Sequence, residues 1–335
     1  MHESSLEHET GAHPERPERI VAITTELGSH DWAGYELAAS PAASDQALTA
    51  VHSEGHVERI RRLAQAGGGW IDADTLMSAR SFVAAQHAAG GAVELVDRVL
   101  RGDAPTGFSV HRPPGHHATA DRPMGFCLFN NVSVAARWAL DHHGCERVMI
   151  VDFDVHHGNG TNDIFSADPR VLFVSVHESP LYPGTGPATD VGVGAGEGFN
   201  VNLPVASGSG DETFVGMVDA VALPLALAFR PQLLLVSAGF DAHRDDPLAT
   251  CEVSEDGFGA MCALLRDVGA SLGVPVVGVL EGGYGLDGLA RSLRVSMEAL
   301  AAPAVALGEG GVAWTPTVRG ARARAAKHWP ALAQA

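Results

Sequence analysis

The chain is organised around residues 148–160, which read Val-Met-Ile-Val-Asp-Phe-Asp-Val-His-His-Gly-Asn-Gly. The four leading apolar residues are typical of a strand buried on both faces, and polar residues follow them at once. Similar apolar runs recur along the chain, separated by longer Ala-rich segments with helical spacing. The runs lie at 148–151, 171–176, 233–237 and 274–280, and the predicted helices lie at about 84–101, 130–143, 212–229, 255–272 and 287–301.

This alternation of strands and helices predicts an α/β fold. We expect a three-layer α/β/α sandwich with a central, mostly parallel sheet, because strands buried on both faces need helices on each side. No repeat and no Pro/Ser linker divides the chain, so a single domain over residues 1–335 is predicted. The Gly-rich residues 184–198 are expected to form a long surface loop, and the residues after about 303 a peripheral tail.

The composition restricts the class of partner. Hydrophobic residues make up 46% of the chain and charged residues 19%, which supports a large buried core. The formal net charge of -18 argues against direct binding of nucleic acid, because phosphate binding needs clustered Lys and Arg. The same charge would attract a lysine-rich peptide or a polyamine, although it also serves solubility.

The cysteines and the N-terminus indicate a compartment. Cys127, Cys145, Cys251 and Cys262 form no CxxC pair, so neither a disulfide scaffold nor a thiolate zinc site is predicted. Residues 1–11 are polar and acidic, which does not resemble a secretory signal. No run reaches the roughly 18 apolar residues of a membrane-spanning helix. We therefore expect a cytoplasmic protein with no membrane partner.

Polar side chains follow three of the predicted strands directly. These strand ends read Asp152-Phe-Asp154, Gly239-Phe-Asp241 and Glu281-Gly-Gly-Tyr284. An open parallel sheet collects its ligands at the carboxyl ends of its strands. The three ends are therefore expected to meet at one crevice.

Three residues at these ends are candidate metal ligands. Asp154 and His156 are separated by one residue, so in an extended chain they point to the same side and can bind one ion. Asp241 supplies a third ligand from another strand. Two carboxylates and one imidazole with an open position for water are expected of a catalytic zinc ion rather than a structural one. The alternative is that these are turn residues, which are common after strands.

Two histidines and one tyrosine complete the candidate site. His116 and His117 lie in a loop rich in Pro and Gly, residues 111–118. Imidazoles titrate near neutral pH, so one can take a proton from a water molecule while the other supplies positive charge or a hydrogen bond. The hydroxyl of Tyr284, after two glycines, could donate to the oxyanion that forms when an amide is attacked. The pattern predicts a metal-dependent amidohydrolase.

Five motifs occur in one order along residues 8–300. They are His8-Glu-Thr-Gly-Ala-His-Pro-Glu-Arg-Pro-Glu-Arg-Ile20, Arg112-Pro-Pro-Gly-His-His-Ala118, Asp152-Phe-Asp-Val-His-His-Gly-Asn-Gly-Thr161, Ser237-Ala-Gly-Phe-Asp-Ala-His243 and Glu281-Gly-Gly-Tyr284. With these motifs the chain resembles the histone deacetylase family, which has the arginase/deacetylase fold, and resembles its class II branch more closely. The resemblance implies a protein that removes acetyl groups from the ε-amine of lysine in peptides or proteins.

The resemblance implies a catalytic role for each matched residue. His117 would be the general base and later the general acid, and Tyr284 would contact the oxyanion. His116 would have an electrostatic role with Asp152 as its partner. Asn159 stands where class I members have an aspartate beside the general base, and partners of this kind orient the ring and set its basicity.

The resemblance also implies metal ions, namely one zinc ion per chain and structural potassium. The implied ligands are Asp154, His156 and Asp241 for zinc, then Asp152, Ser175 and the backbone carbonyls of Asp154, His156 and Val176 for potassium, and Phe165, Asp168, Val171 and Phe199 for a second monovalent ion.

A narrow tunnel for the acetyl-lysine stem is implied as well, with Phe126 and Tyr182 as its walls. Polyamine-selective eukaryotic relatives place a glutamate seven residues after the third zinc ligand, where this chain has Leu248. An apolar residue there favours an uncharged stem. The implied substrate residues are Gly125, Phe126, Tyr182, Leu248 and Gly283, and Arg19 would line an exit path for acetate.

Three alternatives stay open. An acetylpolyamine deacetylase would suit the acidic charge, and bacterial enzymes of that kind do not depend on the gatekeeper glutamate. A catalytically silent acyl-lysine binding module could retain the metal but has no need of an oxyanion donor at Tyr284. An arginase-like hydrolase would need more carboxylates for two manganese ions. The expected partner is thus an acetylated lysine or a small acetylated amine, and an oligomer is compatible with the sequence.

Overall fold

A computed structural model describes residues 1–307 and 314–334 of the protein. Within these residues the strands are β1 (Gly68–Trp70), β2 (Leu76–Ser78), β3 (Thr106–Ser109), β4 (Val148–Asp152), β5 (Val171–Glu178), β6 (Asn200–Val205), β7 (Leu233–Ala238) and β8 (Val276–Leu280). β1 and β2 form a short antiparallel hairpin. The other six strands form one parallel sheet in the order β3-β8-β7-β4-β5-β6.

Helices surround this sheet, and several begin at a residue whose side chain accepts a hydrogen bond from the backbone N–H three residues later. Ser53, Asn130 and Ser254 are such N-caps. The helices are α1 (Ser4–Glu7), α2 (Glu18–Ser29), α3 (Asp45–Thr49), α4 (Glu54–Gln65), α5 (Ser81–Arg101), α6 (Asn131–His142), α7 (Asn159–Phe165), α8 (Asp211–Met217), α9 (Leu223–Phe229), α10 (Glu255–Leu272), α11 (Leu286–Ala301) and α12 (Pro316–Ala325).

The side chains of β4 alternate between two helical layers. Val148 and Ile150 belong to a buried cluster with residues of α5 and α6, whereas Met149 and Val151 belong to a cluster with residues of α8 to α11. Every residue of β4 is buried. This is the arrangement expected of a strand between two layers of helices, and it confirms the predicted α/β fold with a parallel central sheet.

The four strands and five helices predicted from the sequence are present, but the two edge strands of the sheet, β3 and β6, were not predicted. β3 has only four residues and includes Gly107. β6 alternates Asn and apolar residues because Val201, Leu203 and Val205 face the core while the asparagines face the other side. Neither pattern is the continuous apolar run that identifies the central strands.

The predicted helix at 212–229 is interrupted. α8 and α9 are joined by a π-helical turn at Val218–Ala222. By length and composition the whole stretch Asp211–Phe229, with a mean hydropathy of 1.6, could cross a membrane, but 67% of its apolar window is buried inside the protein. Asp219 breaks its apolar run, so a count of consecutive apolar residues does not detect it.

The C-terminal segment packs more closely on the core than the expected peripheral tail. Val318 and Ala321 on α12 are buried in the cluster that includes α8. Nη1 of Arg322 donates to the carbonyl oxygen of Ala220 at 2.6 Å, and the indole N–H of Trp329 donates to the carbonyl oxygen of Gly198 at 2.7 Å. These long-range contacts leave no local pattern in the sequence. Residues 308–313 and 335 of the predicted tail lie outside the described residues.

Candidate active site

The carboxyl ends of β4, β7 and β8 lie side by side. Asp152 at the end of β4 is the register partner of Ser237 on β7, and Ala238 is the partner of Leu280 on β8. The residues that follow these three strands are therefore brought to the same edge of the sheet. The predicted crevice is formed by these loops and by the loop of residues 111–118, which contacts them from the side of β3.

Asp154, His156 and Asp241 form one buried cluster, with potential ligand atoms that all lie within 4.8 Å of one another. Nδ1 of His156 lies 3.2 Å from Oδ1 of Asp154 and 3.1 Å from Oδ2 of Asp241. The predicted triad is thus brought together, although not as an extended strand. β4 ends at Asp152, and the bend that follows is held by the backbone N–H of His156, which donates to Oδ1 of Asp154 at 2.9 Å.

The charges of this cluster suit a cation. Backbone N–H groups fix the remaining carboxylate oxygens, since Gly282 donates to Oδ2 of Asp154 at 2.8 Å and Val155 donates to Oδ1 of Asp241 at 2.9 Å. Burial and the neighbouring Asp154 carboxylate raise the pKa of Asp241. Two buried carboxylates that share one imidazole are stabilised by a positive charge between them. The residues present therefore fit a divalent metal ion, with the mixed N and O ligands that zinc accepts.

The adjacent histidines are held by different partners. Nδ1 of His116 lies 3.0 Å from Oδ2 of Asp152, and Nδ1 of His117 lies 2.8 Å from Oδ1 of Asn159. The two rings are 4.0 Å apart between centroids. Both histidines are buried, and each has the partner that the resemblance implied.

The partners give the two histidines opposite pKa shifts. Burial disfavours the charged form of His116, but the carboxylates of Asp154 and Asp152 outweigh it and raise its pKa well above the ordinary value. Burial together with the charges of His116 and His156 lowers the pKa of His117 well below it. The surroundings therefore favour the charged form of His116 and the neutral form of His117, a division typical of groups that share proton transfer.

Tyr284 lies in a loop that is fixed at both sides. Oδ2 of Asp246 accepts hydrogen bonds from the backbone N–H of Tyr284 at 2.6 Å and of Gly285 at 3.1 Å. Arg19 lies over the Tyr284 ring, with Cζ 4.9 Å from its centroid, and Nε of Arg19 donates to the carbonyl oxygen of Gly283 at 2.6 Å. Burial raises the pKa of Tyr284, so its hydroxyl stays protonated and can donate.

Two buried carboxylates of this region were not predicted to have a role. Oε2 of Glu281 accepts hydrogen bonds from the backbone N–H of Gly115 at 2.6 Å and of His116 at 3.1 Å, which ties the histidine loop to the end of β8. Burial raises the pKa of Glu281 to about 7 and that of Asp246 to about 6. An acidic residue among glycines at a strand end is the sequence signal that could have indicated Glu281.

Phe126 and Tyr182 lie next to the catalytic candidates. The Phe126 ring is 5.6 Å from the Tyr284 ring and perpendicular to it, and the Tyr182 ring is 5.2 Å from the His117 ring at 88°. Gly125 has a φ of +56°, and a Cβ there would come within 2.4 Å of the His117 ring, so a side chain cannot be accommodated. These predicted tunnel residues are therefore brought to the site.

Leu248 is half-buried, and its backbone N–H donates to Oδ1 of Asp246 at 2.9 Å, beside the loop that carries Tyr284 and Gly283. Asp246 thus contacts Leu248 through Oδ1 and the loop of Tyr284 through Oδ2. The predicted gatekeeper position lies on the same side of the site as the tyrosine loop.

The predicted potassium ligands fall in two regions. Asp152 and Ser175 are register partners on β4 and β5, and both are buried. Most of the second set lies in the turn between α7 and β5, where the backbone N–H of Asp168 donates to the carbonyl oxygen of Phe165 and that of Val171 donates to the carbonyl oxygen of Asp168. The carbonyl oxygen of Phe199 accepts from the backbone N–H of Phe173 on β5.

The chain is similar in sequence to several proteins that are named as deacetylases. A model of the histone deacetylase domain matches residues 13–300. A histone deacetylase-like amidohydrolase of Pseudomonas aeruginosa is 40% identical over 273 residues, covering 81% of this chain and 71% of that protein. A probable deacetylase of Methanothermobacter thermautotrophicus is 41% identical over 295 residues, covering 88% and 87%. Histone deacetylase 10, chloroplastic, of Oryza sativa subsp. japonica is 39% identical over 315 residues, covering 88% and 71%.

A solved structure, described as the crystal structure of the HDA15 HD domain, matches with a TM-score of 0.92 at 36% identity, over 99% of this chain and 95% of that chain. The match extends over the whole sheet and both helical layers, and it agrees with the predicted resemblance. The relatives support deacetylase or amidohydrolase activity, and the buried triad is a candidate metal-binding site. The chain belongs to the histone deacetylase family.

Proposed function

We propose that the protein is a zinc-dependent deacetylase that removes acetyl groups from the ε-amine of lysine in peptides or proteins. The observation that carries the proposal is the buried triad of Asp154, His156 and Asp241 beside two histidines of opposite pKa shift. A zinc ion bound by this triad would activate a water molecule and polarise the carbonyl of the substrate amide. The loops after β4, β7 and β8 thus supply the proposed metal ligands and Tyr284, and the loop after β3 supplies the two histidines.

The neutral His117 is the proposed proton acceptor. Its Nδ1 is occupied by Asn159, which leaves Nε2 free to take a proton from the attacking water and later to deliver it to the leaving amine. His116, whose charged form is favoured by Asp154 and Asp152, supplies positive charge beside it. Tyr284 donates its hydroxyl hydrogen to the oxygen that becomes negative, and the Asp246 contact holds its backbone in place.

The walls of the site support a lysine stem. Phe126 and Tyr182 are proposed to enclose its methylene groups. Gly125 allows the close approach of the His117 ring, and Gly283 is proposed to contact the substrate beside Tyr284. Arg19 is proposed to line the path by which acetate leaves.

The same regions are proposed to hold structural potassium. Asp152, Ser175 and neighbouring carbonyls of Asp154, His156 and Val176 offer the hard oxygen ligands that an alkali cation prefers. The turn at Phe165, Asp168 and Val171, with Phe199, offers a second, carbonyl-based site.

A cytoplasmic location also stays a prediction.

An acetylpolyamine deacetylase is the second candidate, and the net charge of -18 favours it. Leu248 favours the lysine substrate, since it offers no carboxylate to a distal ammonium. Against an arginase-like enzyme, the described residues contain one group of three metal-ligating side chains, which suits one ion. Against a silent binding module, a hydroxyl donor at Tyr284 has no use in binding alone.

The test is a comparison of acetyl-lysine peptide and acetylputrescine as substrates of the purified protein, with and without a chelator. We expect turnover of the peptide that depends on metal, and weak turnover of acetylputrescine. Efficient turnover of acetylputrescine alone would replace the lysine substrate by a polyamine. Absence of turnover of both in the zinc-loaded protein would contradict a deacetylase.

A further inference from the structure

Two aromatic side chains are exposed among the large apolar residues of the described chain. Trp70, on β1, is 61% exposed, and Tyr182 is 36% exposed. Tyr182 already belongs to the proposed tunnel, so its exposure marks the tunnel mouth. Tryptophan is more common at binding surfaces than on the rest of a protein surface.

Trp70 is connected to the same mouth by a chain of ring contacts. The Trp70 ring lies 6.2 Å from the ring of His13, and the His13 ring packs edge-on against Phe126 at 4.5 Å. Phe126 in turn contacts Tyr284. A lysine stem that passes Phe126 would therefore leave the tunnel close to Trp70, with only the His13 side chain between Phe126 and Trp70.

The hairpin that presents Trp70 is also acidic. Asp72 and Asp74 follow Trp70 in the turn between β1 and β2, and both are partly exposed. Oδ1 of Asp72 accepts hydrogen bonds from the backbone N–H of Asp74 and Thr75, which fixes this carboxylate in the turn. The hairpin contacts the mouth directly, because Oγ1 of Thr75 accepts a hydrogen bond from the backbone N–H of Phe126 at 3.2 Å and donates to Oδ1 of Asp74 at 2.8 Å. Two carboxylates and an exposed indole therefore lie on the hairpin that borders the mouth.

We propose that Trp70 and Asp72 form a subsite outside the tunnel for the cationic side chain of a lysine or arginine that neighbours the acyl-lysine in a peptide substrate. The indole face attracts the cation, and the fixed carboxylate of Asp72 lies on the same hairpin. This inference rests on the proposed function and specifies its substrate class as basic peptides. The overall negative charge of the protein acts in the same direction at longer range.

The experiment compares two peptides that contain the same acetyl-lysine and differ at the adjacent residue, arginine in one and citrulline in the other. The readout is the ratio of their kcat/KM values within each variant, so a general loss of activity cancels. For the unaltered protein we expect a preference of about threefold to fivefold for the arginine peptide, expressed in KM and weakened by salt. Trp70→Ala and Asp72→Asn should each bring the ratio close to one.

Val193→Ala, which alters another exposed apolar side chain, and Asp103→Asn, which alters another exposed carboxylate, are the controls and should keep the preference. A ratio of one in the unaltered protein, or an unchanged ratio in Trp70→Ala, overturns the subsite while leaving the deacetylase proposal intact. Failure of the unaltered, zinc-loaded protein to turn over either peptide overturns both, so the two failures are distinguishable.

Discussion

His117 and Asn159 hold each other through two hydrogen bonds. Nδ1 of His117 lies 2.8 Å from Oδ1 of the Asn159 amide, and Nδ2 of the same amide donates to the carbonyl oxygen of His117 at 3.3 Å. The second contact fixes the amide orientation, so Nδ1 must be the nitrogen that carries hydrogen in the neutral ring. An amide in this place orients the ring without adding a negative charge to it.

Asn159→Asp should therefore shift the pH dependence of the enzyme. A carboxylate beside Nδ1 stabilises the imidazolium and raises the pKa of His117, so at a given pH a smaller fraction of the ring is the free base. We expect the acidic limb of the kcat/KM profile to move upward by about one pH unit. Superimposable acidic limbs for the two proteins would show that His117 is not the group whose deprotonation controls the rate.

The candidate metal triad could be predicted because its signal is local and topological. Asp154 and His156 are two residues apart, and Asp241 follows a recognisable strand, so the rule that ligands collect at strand ends was sufficient. The contacts that hold this site were harder to predict. Glu281 reaches Gly115 and His116 across more than 160 residues of sequence, and no pattern near Glu281 reports on a loop so far away.

The buried cluster around Glu15 is another long-range feature. Its carboxylate forms a two-point ion pair with Arg112 and lies 3.2 Å from Nη1 of Arg19 and 3.2 Å from Nε2 of His8. Glu15 and Arg112 are 1% and 0% exposed. The cluster joins the N-terminal segment to the loop that carries His116 and His117.

Glu15→Gln should lower the free energy of unfolding by about 3–5 kcal/mol, because it leaves the Arg112 charge buried and unpaired. Glu7→Gln is the matched control. It breaks an exposed ion pair with Arg80, at 2.7 Å, and should cost less than about 1 kcal/mol. Chemical denaturation of the three proteins at neutral pH measures both effects, and equal losses for the two variants would contradict the argument from burial.

The same ion pair makes the stability of the protein depend on pH. Burial alone would raise the pKa of Glu15, but Arg112 holds it well below the ordinary value. The ion pair therefore stabilises the protein fully when the pH is above the ordinary carboxyl pKa, which is that of the unfolded chain. This stabilisation is lost as the pH falls through the lowered pKa of Glu15 in the folded protein. The stability difference between the unaltered protein and Glu15→Gln should accordingly shrink in acid.

Removal of the metal should abolish turnover. The triad supplies three potential ligand atoms that all lie within 4.8 Å of one another. We expect a chelated and dialysed sample to be inactive and to recover when one equivalent of Zn²⁺ is added. Elemental analysis should find about tenfold less metal, or less still, in Asp241→Asn than in the unaltered protein. Full activity in a sample shown to be free of divalent metal would exclude the proposed chemistry.

Tyr284→Phe should reduce kcat by about 10²-fold to 10³-fold and leave the metal content unchanged, because only an oxyanion donor is lost. Tyr35→Phe is the control, since the Tyr35 hydroxyl contacts Thr106 at 3.0 Å on β3, away from the triad. Steady-state kinetics on an acetyl-lysine peptide, with metal analysis of each protein, provides the measurement. A kcat for Tyr284→Phe equal to that of Tyr35→Phe would remove Tyr284 from the mechanism.

Leu248 offers the clearest test of what separates lysine from polyamine substrates. It is half-buried beside the loop of Tyr284, where a carboxylate could meet an ammonium group emerging from the site. Leu248→Glu should raise kcat/KM for acetylputrescine relative to acetyl-lysine peptide by about tenfold, which corresponds to about 1.4 kcal/mol, and the gain should weaken with salt. Leu248→Gln has the same shape without the charge and should change the ratio little. If both variants shift the ratio equally, size rather than charge at this position decides the substrate, and the apolar gatekeeper argument for acetyl-lysine no longer holds.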